Sequence, residues 1–214
     1  FIGALTGDSL YIPLFIGAGV YLICAVFFLF IGHSLITPPD EQNFPYEPTP
    51  YAVLERLAAS GYISSDNHVL DYGCGKGRVC FFLAAVCGCR ATGIDLSEKL
   101  LSTAEDNCRR FQKKNLVRFQ KCMAEHFEVT DEDTFFFFNP FKEVVLHSVL
   151  GQIRKSWLET PRPLQIFCYY PSDEFVTCLM TAPDLLFEDE IDCRDLFPGN
   201  NDRERILVFR MDAI

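Results

Sequence analysis

Positive charge is scarce in this chain. Lys and Arg number 19 against 29 Asp and Glu, which gives a formal net charge of −10 and a pI near 4.8. A nucleic-acid partner needs a basic face to neutralise phosphates. No cluster supplies one, because Arg109-Arg110 and Lys113-Lys114 fall on one solvated helix end. The expected partner is a small molecule, a lipid or a protein, and not nucleic acid. Metal-ligand spacing is missing too. The ten cysteines include no CxxC pair, the nearest being Cys87-x-Cys89, and the four histidines are scattered. No metal is expected. Cys24, Cys74, Cys80, Cys122 and Cys168 fall in apolar runs, regular elements or a glycine turn, where free cysteine acts as a small apolar residue. That usage fits a reducing compartment. The chain begins at Phe1, as a piece of a longer protein would.

Two phosphate-cradling patterns are absent from the one glycine-rich stretch, His68–Leu83 (HVLDYGCGKGRVCFFL). A P-loop needs GxxxxGK[ST], and no hydroxyl follows Lys76 at the required place. A dinucleotide site needs GxGxxG, and Arg78 stands where its third glycine would be. That substitution also disfavours a nicotinamide or nucleotide-sugar enzyme. What is present is a buried-strand run, His68–Tyr72, then Gly73-Cys74-Gly75-Lys76-Gly77, then a helix-compatible run, Val79–Val86. A helix leaving a glycine turn aims its free N–H groups and positive dipole end at any ligand in that turn.

Asp71-x-Gly73-x-Gly75-x-Gly77 after a strand resembles motif I of class I S-adenosylmethionine (SAM) methyltransferases. The spacing to a second strand, Arg90–Asp95 (RATGID), suits one βαβ step. A carboxylate at its tip offers acceptors only, which suits the two hydroxyls of a ribose. The resemblance implies SAM as cofactor. Asp71, Gly73, Cys74, Gly75 and Gly77 would hold the methionine part, and Asp95 with Leu96 the ribose. Met123 and Ala124 would face the adenine. Met123 stands where the family usually has an acid, so the adenine amine lacks that partner unless Glu125 supplies it.

Thr134–Phe138 (TFFFF) is a fully apolar strand ending in Asn139-Pro140-Phe141. This is the position of motif IV, where Asn/Asp-Pro-Pro-Tyr/Phe marks methyltransferases acting on amino groups. The Asn side chain and Pro carbonyl would accept the amine's hydrogens, and Phe141 would pack over the acceptor or the methyl. The chain is one proline short of that motif.

The remaining elements are read as helix Tyr51–Ser60 capped by Gly61, a helix from Ser97 to about Phe111 and strand Leu116–Lys121. Helix Lys142–Trp157, strand Leu164–Tyr170 and helix Ser172–Met180 with Ser172 as N-cap follow. The last two strands are Phe187–Cys193 and Arg205–Met211. The alternation gives an α/β fold with a mainly parallel, doubly wound sheet. The resemblance implies seven strands with a final antiparallel pair.

Leu10–Ile31 carries no charged residue over 22 positions, long enough to cross a hydrocarbon core as a helix. Residues 1–33 are expected to be a hydrophobic, transmembrane helix, residues 34–50 a proline-rich linker and residues 51–214 the SAM-binding domain. Asp8, Asp40 and Glu41 flank the segment and no Lys or Arg precedes Arg56, so flanking charge does not orient it. SAM is kept in the cytosol, so the catalytic domain is expected to face it. The domain would be soluble and cytoplasmic if the segment were buried in the fold or a dimer. The layout of apolar helix, Phe44-Pro45-Tyr46-Glu47-Pro48-Thr49-Pro50-Tyr51 and motif I is similar to membrane-anchored protein-lysine methyltransferases. There the proline-aromatic segment would line the SAM and substrate pocket. The expected activity is methyl transfer to an acceptor at or near a membrane. A protein lysine is the specific alternative, and a non-catalytic SAM-binding module is the rival.

Overall fold

The structure, a computed structural model, describes residues 44–212. The apolar segment 10–31, expected as a membrane helix, lies outside them. No helix among the described residues is long and apolar enough to cross a membrane.

Helix α1 (Tyr51–Ala59) leads into β1 (His68–Tyr72), α2 (Arg78–Val86), β2 (Arg90–Asp95), α3 (Glu98–Arg110), β3 (Val117–Lys121) and β4 (Thr134–Phe138). Then come α4 (Glu143–Glu159), β5 (Leu164–Tyr169), α5 (Asp173–Thr181), β6 (Leu186–Asp192) and β7 (Arg205–Met211). The helix ends follow local chemistry. Ser97 and Ser172 accept the N–H groups of Leu100 and Phe175, each at 3.3 Å, and so start α3 and α5. Gly61 ends α1 with φ +81°, the left-handed conformation that glycine adopts without a Cβ penalty.

The seven strands pair in the order β3-β2-β1-β4-β5-β7-β6. β1 to β5 are parallel, and β7 runs antiparallel between β5 and β6. The sequence explains the placing. HVLDY and TFFFF are apolar on both faces, and they form the centre, where helices cover both sides. LFEDEID carries its acids outward at the edge, where charge deters a further strand from pairing. Leu101, Val79, Leu83 and Leu54 pack one face; Val145, Val149, Ile153, Phe175 and Leu179 pack the other.

Order reverses beside β1, whose neighbours are β2 on one side and β4 on the other. In open α/β sheets a ligand crevice forms at that switch, outside the carboxyl ends of the strands. The glycine turn and Asn139 both emerge there. The opposite edge is tied by polar contacts. Arg118 pairs with buried Glu132 at 2.7 Å and donates to Thr92 Oγ1, which also meets His68 Nε2 at 2.8 Å. His68 Nδ1 lies 3.2 Å from Asp131, itself paired with Arg90 at 2.6 Å. His68, Asp131 and Glu132 lie close enough to share a cation. The two arginines already offset both carboxylates, so the cluster is built as a brace.

Candidate active site

The turn after β1 is held by its own amides. The N–H groups of Gly73 and Cys74 donate to the Ile94 carbonyl at 3.0 and 2.9 Å, and Gly77 N–H to Cys74 O at 2.8 Å. Gly75 N–H donates to Asp95 Oδ2 at 2.8 Å, while Asp95 Oδ1 accepts from Ser97 N–H at 2.8 Å. Asp95 therefore joins the tip of β2 to the turn after β1. Each glycine is needed by a neighbouring side chain. A Cβ on Gly73 would meet Pro140 Cβ at 2.9 Å, one on Gly77 would meet Phe119 at 2.5 Å, and one on Gly75 would run into the Tyr46 ring. All three adopt positive φ.

The segment Phe44–Pro50 packs on this turn. Phe44 N–H donates to Pro140 O at 3.2 Å, and Arg78 Nη1 donates to Thr49 O at 3.0 Å. Tyr46 covers Gly75, with the Lys76 ammonium 5.6 Å from its ring centroid. Burial raises the Tyr46 phenol above its ordinary range. Tyr51 takes the Arg78 guanidinium at 4.6 Å. The segment thus bridges the acceptor motif and the cofactor turn.

Asp71 is only 3% exposed. Its Oδ2 accepts from the Cys80 thiol at 3.8 Å, and burial with the nearby Asp95 carboxylate pushes its pKa up to about 8. Burial raises Asp95 as well, opposed by the two N–H donors it holds. Leu96 and Met123 are 40% and 42% exposed at the tips of β2 and β3. Two bare apolar side chains flanking a carboxylate fit a flat purine above a ribose. Ala124 opens a short 3-10 turn, Ala124–His126, whose Glu125 carbonyl is taken by Gln152. The part expected of Cys74 rests on its backbone, since its side chain turns away from the turn's open side. Its thiol is buried against Gly93, where a Cβ would meet Sγ at 2.8 Å.

At the end of β4, Asn139 takes φ +40°. Asn tolerates this left-handed conformation better than most residues. Its Oδ1 is buried and has no hydrogen-bond partner among the described residues. An acceptor oxygen left unpaired inside a protein costs about 1–3 kcal/mol. The Pro140 carbonyl accepts from Phe44 N–H at 3.2 Å, which leaves its second lone pair for another donor. Phe141 does not face an acceptor. It is 2% exposed and sits in the core with ring centroids 6.3, 6.1 and 6.1 Å from Tyr72, Phe137 and Phe175. After β5, Tyr169 donates to Glu204 at 2.5 Å, and Tyr170 is clamped by Arg203, 4.2 Å from its ring centroid. Sequence reading missed the side chains of Lys76, Arg78 and Arg203. Each is held over a tyrosine ring, a pairing that no local spacing rule announces.

Asp71, the three glycines, Asp95, Leu96, Met123, Ala124 and Asn139 all lie at or just beyond the carboxyl ends of β1 to β4, around the switch in strand order. A family model described as a methyltransferase domain matches residues 63–179. Among solved structures, an RNA methyltransferase from Salinibacter ruber in complex with S-adenosyl-L-homocysteine is similar at 20% identity and TM-score 0.51. The match covers 77% of this chain and 92% of that one. A TehB-like SAM-dependent methyltransferase from Corynebacterium glutamicum matches at 20% identity and TM-score 0.53, over 76% of this chain and 88% of that one. A tRNA (uracil-54, C5)-methyltransferase from Pyrococcus abyssi, in complex with S-adenosyl-L-homocysteine, matches at 18% identity and TM-score 0.57, over 78% and 40%. At such identities the likeness is one of fold. No curated protein matches the chain.

Proposed function

The chain belongs to the methyltransferase-domain family, and on that premise we propose that its acceptor is an uncharged nitrogen presented at Asn139, on a substrate held at or near a membrane. The activity itself is SAM-dependent methyl transfer. SAM supplies a methyl group already activated on a sulfonium. The protein mainly has to hold donor and acceptor in line, which can supply much of the rate. Asp95 takes the ribose hydroxyls, and Leu96, Met123 and Ala124 surround the adenine. Asp71 and the Gly73–Gly77 backbone hold the methionine part.

The observation that carries the acceptor reading is the buried, unpartnered Oδ1 of Asn139. That oxygen accepts an N–H of the incoming amine and so fixes where the lone pair points. A nitrogen with an N–H and a free lone pair satisfies it; an ether, thioether or carbon acceptor does not. A lysine side chain of a membrane protein fits best, its ammonium first losing a proton to solvent so that the nitrogen carries a free lone pair. The formal charge of −10 steers basic substrates in and nucleic acid away, and Leu10–Ile31 would hold the domain on the cytosolic face of the bilayer.

The test is Asn139→Ala assayed with SAM and a basic lysine peptide. We expect turnover to fall at least 100-fold while SAM affinity stays within threefold. Undiminished turnover, or no methyl transfer to any amine by the native chain, overturns the reading and favours a binding module.

A further inference from the structure

A cavity lies beside the glycine turn, between α1, α2, α3 and the Phe44–Pro50 segment. It encloses about 330 Å³ and is lined by Tyr46, Tyr51, Lys76, Arg78, Phe81 and Phe82, with Asn107 at its edge. No carboxylate lines it. Lys76 and Arg78 pair with no carboxylate among the described residues and are held over tyrosine rings instead. In a chain with ten more acids than bases, two such cations in one aromatic cavity mark an anion site. Arg78 gives only Nη1 to Thr49, so Nε and Nη2 remain free to fork onto paired oxygens. The rings around them suit an apolar body rather than a bare ion.

We propose that this cavity binds an anionic phospholipid, its phosphate between Lys76 and Arg78 and its glycerol and first acyl carbons against Phe81, Phe82 and Tyr51. Two further observations favour a lipid. Tyr46 and Tyr51, which line the cavity, are also exposed to solvent, and such rings anchor proteins at membrane interfaces. The 22-residue uncharged stretch, Leu10–Ile31, precedes them in the chain. None of the residues assigned above to SAM lines this cavity.

The test is calorimetric titration of the full chain with dihexanoyl phosphatidylglycerol below its micelle concentration. Dihexanoyl phosphatidylcholine and inorganic phosphate are titrated alongside. The glycerol lipid is expected to bind at least tenfold tighter than either. Arg78→Gln and Phe82→Ala should each weaken it at least tenfold, with thermal melts of the same samples as proof of folding. Arg78→Lys, which keeps the charge and loses the fork, should fall between. Equal binding of phosphate alone overturns the lipid assignment. Equal binding of phosphatidylcholine overturns the charge argument. Displacement of the lipid by S-adenosyl-L-homocysteine would make the cavity part of the cofactor crevice and overturn it as a separate site. Absent SAM binding by the native chain would instead sink the enzymatic reading and leave this one standing on its own titration.

Discussion

Tyr46 lies directly on Gly75, so closely that a Cβ on that glycine would penetrate its ring. The glycine of motif I is thus required by a side chain 29 positions upstream, whatever the cofactor requires. Gly75→Ala should expel the Phe44–Pro50 segment from the turn. We expect faster hydrogen exchange over residues 44–50, a stability loss of about 1–3 kcal/mol from overpacking and positive φ, and weaker SAM binding. In the Tyr46→Ala background the same change should cost less, because the clash is gone. A purely additive double-mutant cycle would show that the two residues do not touch.

Asp95 spends both carboxylate oxygens on backbone N–H groups, from Gly75 and Ser97. Reading the sequence alone makes it a ribose ligand. The geometry adds a structural role. Asp95→Ala should lose SAM affinity by at least 100-fold, since charge-assisted hydrogen bonds are worth roughly 1.5–3 kcal/mol each. It should also lower the melting temperature, because the turn loses its brace. Asp95→Asn keeps one acceptor oxygen and should recover more of the melting temperature than of the affinity. Calorimetry and thermal melts on the same samples separate the two roles.

The positions of the strands and the mainly parallel α/β alternation were legible because periodicity and apolar runs are local signals; the seven-strand count and the final antiparallel pair were implied by the family resemblance. HVLDY and TFFFF announce two-faced burial by composition alone. The direction of a side chain leaving a strand end is not local. Asn139 and Phe141 are two residues apart, yet one leaves an oxygen in the crevice and the other enters the core. That choice follows from the positive φ at Asn139 and from the hole offered by Tyr72, Phe137 and Phe175. The Tyr46 contact was equally invisible, since it joins a proline-rich segment to a glycine with no spacing rule between them. The Pro48 and Pro50 that keep this segment extended were plain, and the family resemblance implied that it lines the SAM pocket; the seating of Tyr46 on Gly75 was not readable.

Phe141 therefore acts through packing. Phe141→Ala should cost about 3–5 kcal/mol, as for other buried aromatic residues cut to alanine. Phe141→Leu should cost about 1 kcal/mol and leave the turnover number within threefold at a temperature where both forms are folded. A large loss of turnover in a fully folded Phe141→Leu would return the residue to the acceptor site.

Asp71 makes stability depend on pH in the direction opposite to most carboxylates. Its pKa is about 3.9 in an unfolded chain and about 8 in the fold, where burial and Asp95 disfavour the charge. Below pH 4 both states keep the proton and the residue contributes nothing. From pH 4 to 8 the unfolded chain releases the proton while the folded chain holds it. Stability then falls with rising pH, by at most about 1.4 kcal/mol per unit. Above pH 8 both states are ionised and the penalty levels off. Asp71→Asn mimics the protonated form, so the melting temperature of the variant minus that of the native chain should rise steadily from pH 5 to 8 and then plateau. A difference that is flat across this range would mean that Asp71 is ionised in the fold throughout, stabilised by a donor other than the Cys80 thiol. If the residue does hold the positive methionine end, S-adenosyl-L-homocysteine should flatten the native profile, because a bound cation lowers the pKa of a buried carboxyl beside it. Asp71→Asn should then bind the ligand less tightly at pH 8 despite being the more stable protein.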